Sequence, residues 1–255
     1  MRLDVYLSEN ALAKSRSKAR ELIDAGLVTV GGLAVTKASY EVSDGDDVAV
    51  IGEVHPFVSR GGMKLDGALR DFGIDVRGMT AVDIGASSGG FTDCLLRRGA
   101  KKVYAVDSGT GQLDISLIAD SRVVNIEKTN ARSLDEAMLG ERCDIAVADL
   151  SFISQTYIIP RLPLVLKDGG TYVGLVKPQF ECGRDAIGKN GIVKEKKHHL
   201  AAIEKVVASL EENGLGTVGI VRSDITGGDG NREFLVYGVL GRSSLITDAD
   251  IAAVL

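Results

Sequence analysis

An α/β architecture, a doubly wound and mostly parallel sheet preceded by a small α+β unit, is the fold class this sequence predicts. Three observations predict it. From residue 61 onward, short apolar runs alternate with segments long enough for crossover helices. One such run, at residues 82–91, leads straight into a glycine-rich turn and a helix. Residues 1–52 lack that alternation and show two short helical patterns followed by short extended runs. Parallel strands need crossover connections and are buried on both faces, so they read as unbroken apolar runs separated by helices.

Within residues 1–52, Leu3, Leu7 and Leu12 space one short helix. Ser15 caps a second, which passes through Arg20, Leu22 and Ile23 and stops at Gly26. Extended runs follow at 28–30 and 48–51, separated by Gly31-Gly32 and Asp44-Gly45 turns. A unit of this size is marginal alone and gains by docking on something larger. Pro56 disfavours helix before it, so 53–60 is read as an interdomain linker and 61–255 as the second domain. There the strand runs are 80–84, 103–106, 123–126, 145–148 and 171–176, with a helix beginning near Thr92. Residues 194–213 form a helix ended by Gly214, and the runs 216–221 and 234–239 are expected to pair antiparallel at one sheet edge.

Hydrophobic residues at 45%, charged residues at 25% and only 4 prolines fit a folded chain and exclude disordered, collagen-like and coiled-coil classes. No apolar run approaches the roughly 18 residues of a membrane helix. Charges at Asp4 and Glu9 interrupt the N-terminus, so no secretory signal is expected and a cytoplasmic protein is. Cys94, Cys143 and Cys182 are scattered and remote from His55, His198 and His199, so neither a disulfide framework nor a metal site is expected.

A formal net charge of −5 excludes a wholly basic nucleic-acid coat protein but not a local basic face. Lys14, Arg16, Lys18 and Arg20 cluster, whereas Glu41, Asp44, Asp46 and Asp47 crowd the far end of the first unit. Arg16 and Arg20, four apart, share one helical face with Lys18 nearby and Arg2 and Lys37 as flanks, a pattern suited to phosphates.

Val82-Asp83-Ile84-Gly85-Ala86-Ser87-Ser88-Gly89-Gly90-Phe91 carries the strongest chemical signal. Glycines at a strand-to-helix turn let the backbone approach a ligand closely. A dinucleotide site would show G-x-G-x-x-G with the pyrophosphate at the helix N-terminus. Here the spacing differs and an acid, Asp83, precedes the first glycine. That order suits S-adenosylmethionine, which carries an ammonium and a sulfonium instead of a pyrophosphate. Asp107 follows the second strand, placed for both hydroxyls of a ribose, and Gly109-Thr110-Gly111-Gln112 beyond it is an ordinary turn. Cofactor contacts are therefore expected from Asp83, Gly85, Ala86, Ser87, Gly89, Gly90 and Phe91, then from Asp107 and Asp149.

Open α/β sheets bind ligands at the carboxyl ends of their strands. Asp149 and Lys177 each close a strand there. A lysine closing a buried strand has limited water, which favours its neutral amine and lets it act as a base. Lys64 precedes the first strand by a helix and Glu233 enters the last strand pair; taken singly, each reads as a surface charge.

Together these residues resemble the TlyA (haemolysin A) group of ribosomal RNA 2′-O-methyltransferases, whose catalytic domain is FtsJ-like. The resemblance spans nearly the whole chain. Arg2-Leu3-Asp4 and Ser15-Arg16-Ser17-Lys18-Ala19-Arg20 are similar to the S-four-like RNA-binding fold. Ser59-Arg60-Gly61-Gly62, Asp83-Ile84-Gly85-Ala86-Ser87 and Ala148-Asp149-Leu150-Ser151-Phe152-Ile153-Ser154 resemble family signatures in order. So do Val176-Lys177-Pro178-Gln179-Phe180-Glu181 and Gly230-Asn231-Arg232-Glu233-Phe234-Leu235. Ser88, where threonine is usual, and Ser108 and Thr110, where bulkier residues occur, are the departures.

The resemblance implies a Rossmann-like class I methyltransferase domain behind an RNA-binding domain. It also implies S-adenosylmethionine as cofactor, a cytidine ribose of ribosomal RNA as target, and a Lys-Asp-Lys-Glu tetrad on Lys64, Asp149, Lys177 and Glu233. The expected partner is ribosomal RNA or a ribosomal subunit, with no obligate protein partner and no membrane. The start at Arg2 is similar to a shorter subgroup associated with a large-subunit target only, whereas longer members also modify the small subunit, which stays open as a second target. In this reading Lys177 deprotonates or polarises the 2′-hydroxyl, Asp149 holds it, and Lys64 and Glu233 fix the acceptor, with Lys64 as a neighbouring cation. RNA contacts are expected from Arg2, Arg16, Lys18, Arg20 and Lys37, and from Arg60 and Arg184. The glycine-rich, basic stretch 183–191 reads as a mobile lid, and the linker as a transmitter of RNA docking. Competing readings are a cytolysin, for which the sequence offers no membrane-length run; a silent ribosome-assembly module, disfavoured by the intact tetrad; and a dehydrogenase, disfavoured by the missing G-x-G-x-x-G.

Overall fold

The computed structural model describes residues 1–255 except 53–55, 189–190 and 228–229, and leaves out the side chain of Arg184. The chain divides into two compact units, Met1–Pro56 and Phe57–Leu255.

In the first unit, α1 (Leu3–Glu9) and α2 (Arg16–Asp24) pack on a sheet of β1 (Val28–Val30), β2 (Leu33–Ala34) and β3 (Val48–Val50), ordered β2-β1-β3 and antiparallel throughout. Ser15 caps α2 as expected, its Oγ accepting from the Lys18 amide at 3.2 Å. Leu3, Leu7, Ala19, Leu22, Ile23 and Val28 form the core. Leu12 does not extend α1: the helix stops at Glu9, Ala11 takes a left-handed φ of 57°, and Leu12 is left exposed.

The second unit is a seven-stranded sheet of β4 (Thr80–Ile84), β5 (Lys102–Val106), β6 (Val123–Ile126), β7 (Cys143–Ala148), β8 (Leu166–Val176), β9 (Leu215–Arg222) and β10 (Phe234–Leu240). Its order is β6-β5-β4-β7-β8-β10-β9. Strands β4 to β8 are parallel, and β10 runs antiparallel between β8 and β9. The helices are α3 (Gly61–Asp71), α4 (Gly90–Arg97), α5 (Ile115–Ile118), α6 (Glu136–Leu139), α7 (Leu162–Val165), α8 (Pro178–Glu181), α9 (Lys196–Glu212) and α10 (Asp248–Ala253).

Alternate residues of the central strands feed two cores. Val82, Ile84, Tyr104 and Val106 pack on one face, while Ala81, Val103, Ala105, Ile145 and Val147 pack on the other. Every residue of β4 is buried, which is why that run shows no alternation in the sequence. The chain continues from β4 to β5 on one side and returns to β7 on the other, so the strand order reverses at β4. The carboxyl end beside it is the crevice where such sheets bind ligands. Helix α4 starts at Gly90, ahead of the expected Thr92, because Gly89 takes φ 94° and completes the turn early. No helix among the described residues is long and apolar enough to cross a membrane, and no cluster among them could hold a metal ion.

Candidate active site

Strand β4 ends at Ile84, level with Val106 of β5 and Ala148 of β7. The chain then turns through Gly85 at φ 84°, where a Cβ would come within 3.0 Å of the Asp149 carbonyl oxygen, so the position requires glycine. Ser87 follows in the left-handed region at φ 47°. Its amide donates to Asp107 Oδ2 at 2.8 Å and its hydroxyl to Gln112 Oε1 at 3.1 Å. A cavity opens at this turn, lined by Asp83, Gly85, Ala86, Ser87, Gly90 and Phe91 on one side and by Ser59, Gly61, Asp149, Ser151 and Lys177 on the other.

Two of the expected cofactor residues sit outside that lining. Gly89 backs onto Leu113 and Leu117, leaving no room for a Cβ. Asp107 accepts from the amides of Ser87 and Gly109, at 2.8 and 2.7 Å, so its carboxylate braces the turn.

Asp83 is fully buried. Its Oδ2 accepts from Thr92 Oγ1 at 2.7 Å, whereas Oδ1 has no hydrogen-bond partner among the described residues. Burial pushes the carboxyl up to about 7, against the pull of the Thr92 hydrogen bond and with help from the charges of Asp149 and Asp107. A buried acceptor without a donor, in the wall of a glycine-lined cavity, matches a cationic ligand: an ammonium would supply the missing hydrogen bond and favour the carboxylate. The donor set therefore fits S-adenosylmethionine.

The four residues expected as a tetrad form two ion pairs. Lys177 closes β8, its Nζ 2.6 Å from Asp149 Oδ1 and donating to Ser151 Oγ at 2.9 Å. Lys64 lies 2.5 Å from Glu233 Oε2, and both side chains are buried. Sheet register explains the convergence. Phe234 of β10 pairs with Val176 of β8, so Glu233 and Lys177 occupy adjoining strand ends. Gly61, one helical turn before Lys64, faces Asp149, and a Cβ there would sit 3.5 Å from Oδ2. The direct partner of Lys64 is thus a carboxylate. A buried charge stripped of its partner costs far more than the pair contributes, so each member of Lys64–Glu233 holds the other in place.

Phe152 went unassigned in the sequence. It is 92% exposed, takes φ 64°, and sets its ring 5.2 Å from that of Phe180. A bulky residue in the left-handed region is strained, and strain of this kind concentrates at functional sites. Its sequence signal is an aromatic directly after Asp149-Leu150-Ser151, where burial would be the default.

In the first unit, Asp4 is completely buried and binds three arginines, with Nε of Arg2, Arg16 and Arg20 at 3.0, 2.9 and 3.1 Å from its oxygens. The Arg2 hydrogen bond, seconded by Arg16 and Arg20, holds that carboxyl well below the usual carboxylate range against its burial. Three cations therefore share one anion on a single face. Lys18 pairs with Glu21 at 3.1 Å, and Lys37 is exposed. Arg60, in the second unit, donates to the Thr226 carbonyl at 2.8 Å. The side chain of Arg184 and residues 189–190 of the expected lid lie outside the described residues.

Residues 57–239 match the FtsJ-like methyltransferase family, and residues 1–48 match the S4 domain. The Mycobacterium tuberculosis protein named 16S/23S rRNA (cytidine-2'-O)-methyltransferase TlyA is 43% identical over 92% of this chain and 88% of its own. Hemolysin A of Brachyspira hyodysenteriae is 40% identical over 94% of this chain and all of its own, 100%. A solved structure from Streptococcus thermophilus, titled as a hemolysin, superposes with a TM-score of 0.79 at 40% identity, covering 100% of this chain and 95% of that one. The chain belongs to the FtsJ-like methyltransferase family, in the group that includes TlyA and hemolysin A.

Proposed function

We propose that this chain transfers the methyl group of S-adenosylmethionine to the 2′-hydroxyl of a cytidine ribose in ribosomal RNA, with the large subunit as its target. The observation that carries this reading is the Lys177–Asp149 ion pair in the wall of a glycine-lined cavity whose buried acid, Asp83, has one oxygen without a donor among the described residues. Asp83, Gly85, Ala86 and Ser87 would hold the cofactor, which supplies a methyl group on a sulfonium.

A ribose hydroxyl is a weak nucleophile and must lose its proton as it attacks. Lys177 Nζ first gives its own proton to solvent and, as the neutral amine, takes the hydroxyl proton; Asp149, already in contact, stabilises the ammonium that is formed again. Ser151 fixes the direction of Nζ, and Lys64–Glu233 holds the neighbouring wall rigid. The exposed Phe152 ring, backed by the half-buried Phe180 ring, offers a stacking platform for an unpaired base, which suits a target nucleotide drawn out of its helix.

Arg2, Arg16 and Arg20 are read as phosphate contacts. Such contacts confer salt-dependent affinity and position the RNA without choosing the base. Replacing Arg16 and Arg20 by alanine is expected to weaken binding of a ribosomal RNA fragment by about tenfold or more and to flatten its logarithmic salt dependence by about two. Fluorescence anisotropy titrations at several salt concentrations check this, with unaltered S-adenosylmethionine binding as the control.

The deciding experiment is transfer of labelled methyl from S-adenosylmethionine to separated ribosomal subunits, followed by mapping of 2′-O-methyl cytidine. Label on the large subunit alone supports the full reading, and label on both corrects its target. Absence of label from both, with cofactor bound, overturns it in favour of a silent RNA-binding module.

A further inference from the structure

Asp149 and Lys177 belong to two different loops, the one leaving β7 and the one leaving β8, and catalysis needs those loops in register. They touch at the ion pair, at the Ser151 hydrogen bond and at the Phe152–Phe180 ring contact. The last two contacts border solvent: Ser151 and Phe152 are exposed, and Phe152 is held in a strained backbone state. Strained conformations persist only where the surroundings over-determine them. Something buried must do so here.

We infer that Glu181 is that anchor, a positioning residue that locks the loop after β7 to the turn after β8. The inference rests on the methyl-transfer reading above for what the loops do. Glu181 ends α8, directly after the Lys177-Pro178-Gln179-Phe180 stretch, and its side chain is 2% exposed. Neither carboxylate oxygen is idle. Oε1 accepts from the Gln155 amide at 2.8 Å, and Oε2 accepts from the Ser154 hydroxyl. Lys205 of α9 reaches Oε2 at 3.3 Å and the Glu181 carbonyl at 2.9 Å, supplying the counter-charge that a buried carboxylate needs.

Gln155 extends the anchor into the sheet. It is 2% exposed, accepts from the fully buried Tyr172 hydroxyl at 2.6 Å, and rests on Gly174, where a Cβ would lie 2.3 Å from its Oε1. Tyr172 and Gly174 belong to β8, the strand that Lys177 directly follows. Both ends of the 149–155 loop are therefore tied to β8 and the turn after it: Asp149 directly through Lys177, and Ser154 and Gln155 through Glu181 and β8. Both Glu181 oxygens are satisfied, although Gln155 Nε2 has no partner among the described residues; paired buried polar groups rigidify their surroundings, and loosening one loop by about an ångström can lower a rate about a hundredfold.

The test uses the full chain carrying Glu181→Gln. The amide keeps the size of the side chain but loses the charge that pairs with Lys205 and one acceptor oxygen. The chain contains no tryptophan, so Phe152→Trp, added to each background for the anisotropy measurement alone and absent from the kinetic comparison, provides a single fluorescent reporter on the loop. Glu181→Gln is expected to lower kcat by about tenfold to a hundredfold while S-adenosylmethionine affinity and RNA KM stay within about threefold. Reporter anisotropy should fall well below the melting transition.

An unchanged kcat and anisotropy overturn the proposal, as does a loss of activity that merely tracks global unfolding. If Glu181→Gln does not fold, Ser154→Ala removes one donor of the same anchor; wild-type kcat and anisotropy in that variant likewise overturn the idea. Should the wild-type chain methylate no RNA, the activity reading fails by itself, and the anisotropy comparison still decides whether Glu181 orders the loop.

Discussion

Lys177→Met is expected to lower methyl transfer by about three orders of magnitude or more, the range in which a proton-transfer group also positions its acceptor, while S-adenosylmethionine binds within about threefold of wild type. Methionine fills the space of the lysine stem but neither accepts a proton nor pairs with Asp149. Asp149 is 24% exposed at its side chain, so water can reach it and the fold should survive the loss of its partner. Lys177→Arg separates two roles that this variant merges. Arginine retains the cation beside Asp149 and Ser151 yet remains protonated at all accessible pH values. If Nζ takes the hydroxyl proton, both variants are inactive; if its charge alone matters, arginine restores transfer. Single-turnover transfer of labelled methyl, with calorimetric titration of the cofactor, gives the answer, and an active Lys177→Arg enzyme would remove Lys177 as the base.

Asp83→Asn should weaken S-adenosylmethionine binding by about tenfold to a hundredfold at pH 8, the loss that accompanies removal of a charged hydrogen-bond acceptor. The dependence on pH is the sharper signature. In the free protein, burial raises the Asp83 carboxyl to about 7, so below that pH it is protonated and offers a cation no charge. Affinity should therefore rise by about one decade per pH unit up to about 7 and level off above it. The Asn variant should show no such rise.

Stability without cofactor runs in the opposite direction. Between the ordinary carboxylate value of 3.8 and about 7, the unfolded chain has released the proton that the folded chain retains, so stability falls as pH rises through that window. The total loss is bounded at about 4 kcal/mol by the size of the shift. Asp83→Asn removes this penalty, and its melting temperature at pH 8 should exceed that of the cofactor-free wild type. Binding and melting curves at pH 5, 6, 7 and 8 would expose either error in sign.

The sheet was legible from sequence because burial on both faces leaves β4, β5 and β7 as short apolar runs bounded by polar turns, and Thr80–Ile84 and Val123–Ile126 fall where those runs predict. The Ser15 cap was legible for a local reason, since its hydroxyl serves an amide three residues on. Two local details were not. β2 is the exposed pair Leu33–Ala34, and α1 stops before Leu12 because Ala11 leaves the helical region.

By itself the sequence determined the strand order of chemistry: an acid before a glycine turn at the end of β4, and Asp149 and Lys177 at the ends of β7 and β8. Those positions follow from local patterning, and parallel strands deliver them to one edge. Tertiary structure alone decided the pairing. Lys64 and Glu233, 169 residues apart, meet only because β10 registers against β8, and no periodicity in either segment encodes that. It also separated Gly85, which faces Asp149, from Gly89, which faces Leu113 and Leu117, though both are glycines of one turn. Asp4 and Glu181 follow the same logic. A carboxylate reads as a surface charge until its partners are known, and those partners arrive from other elements through packing, where the cost of burying an unpaired charge selects the arrangement.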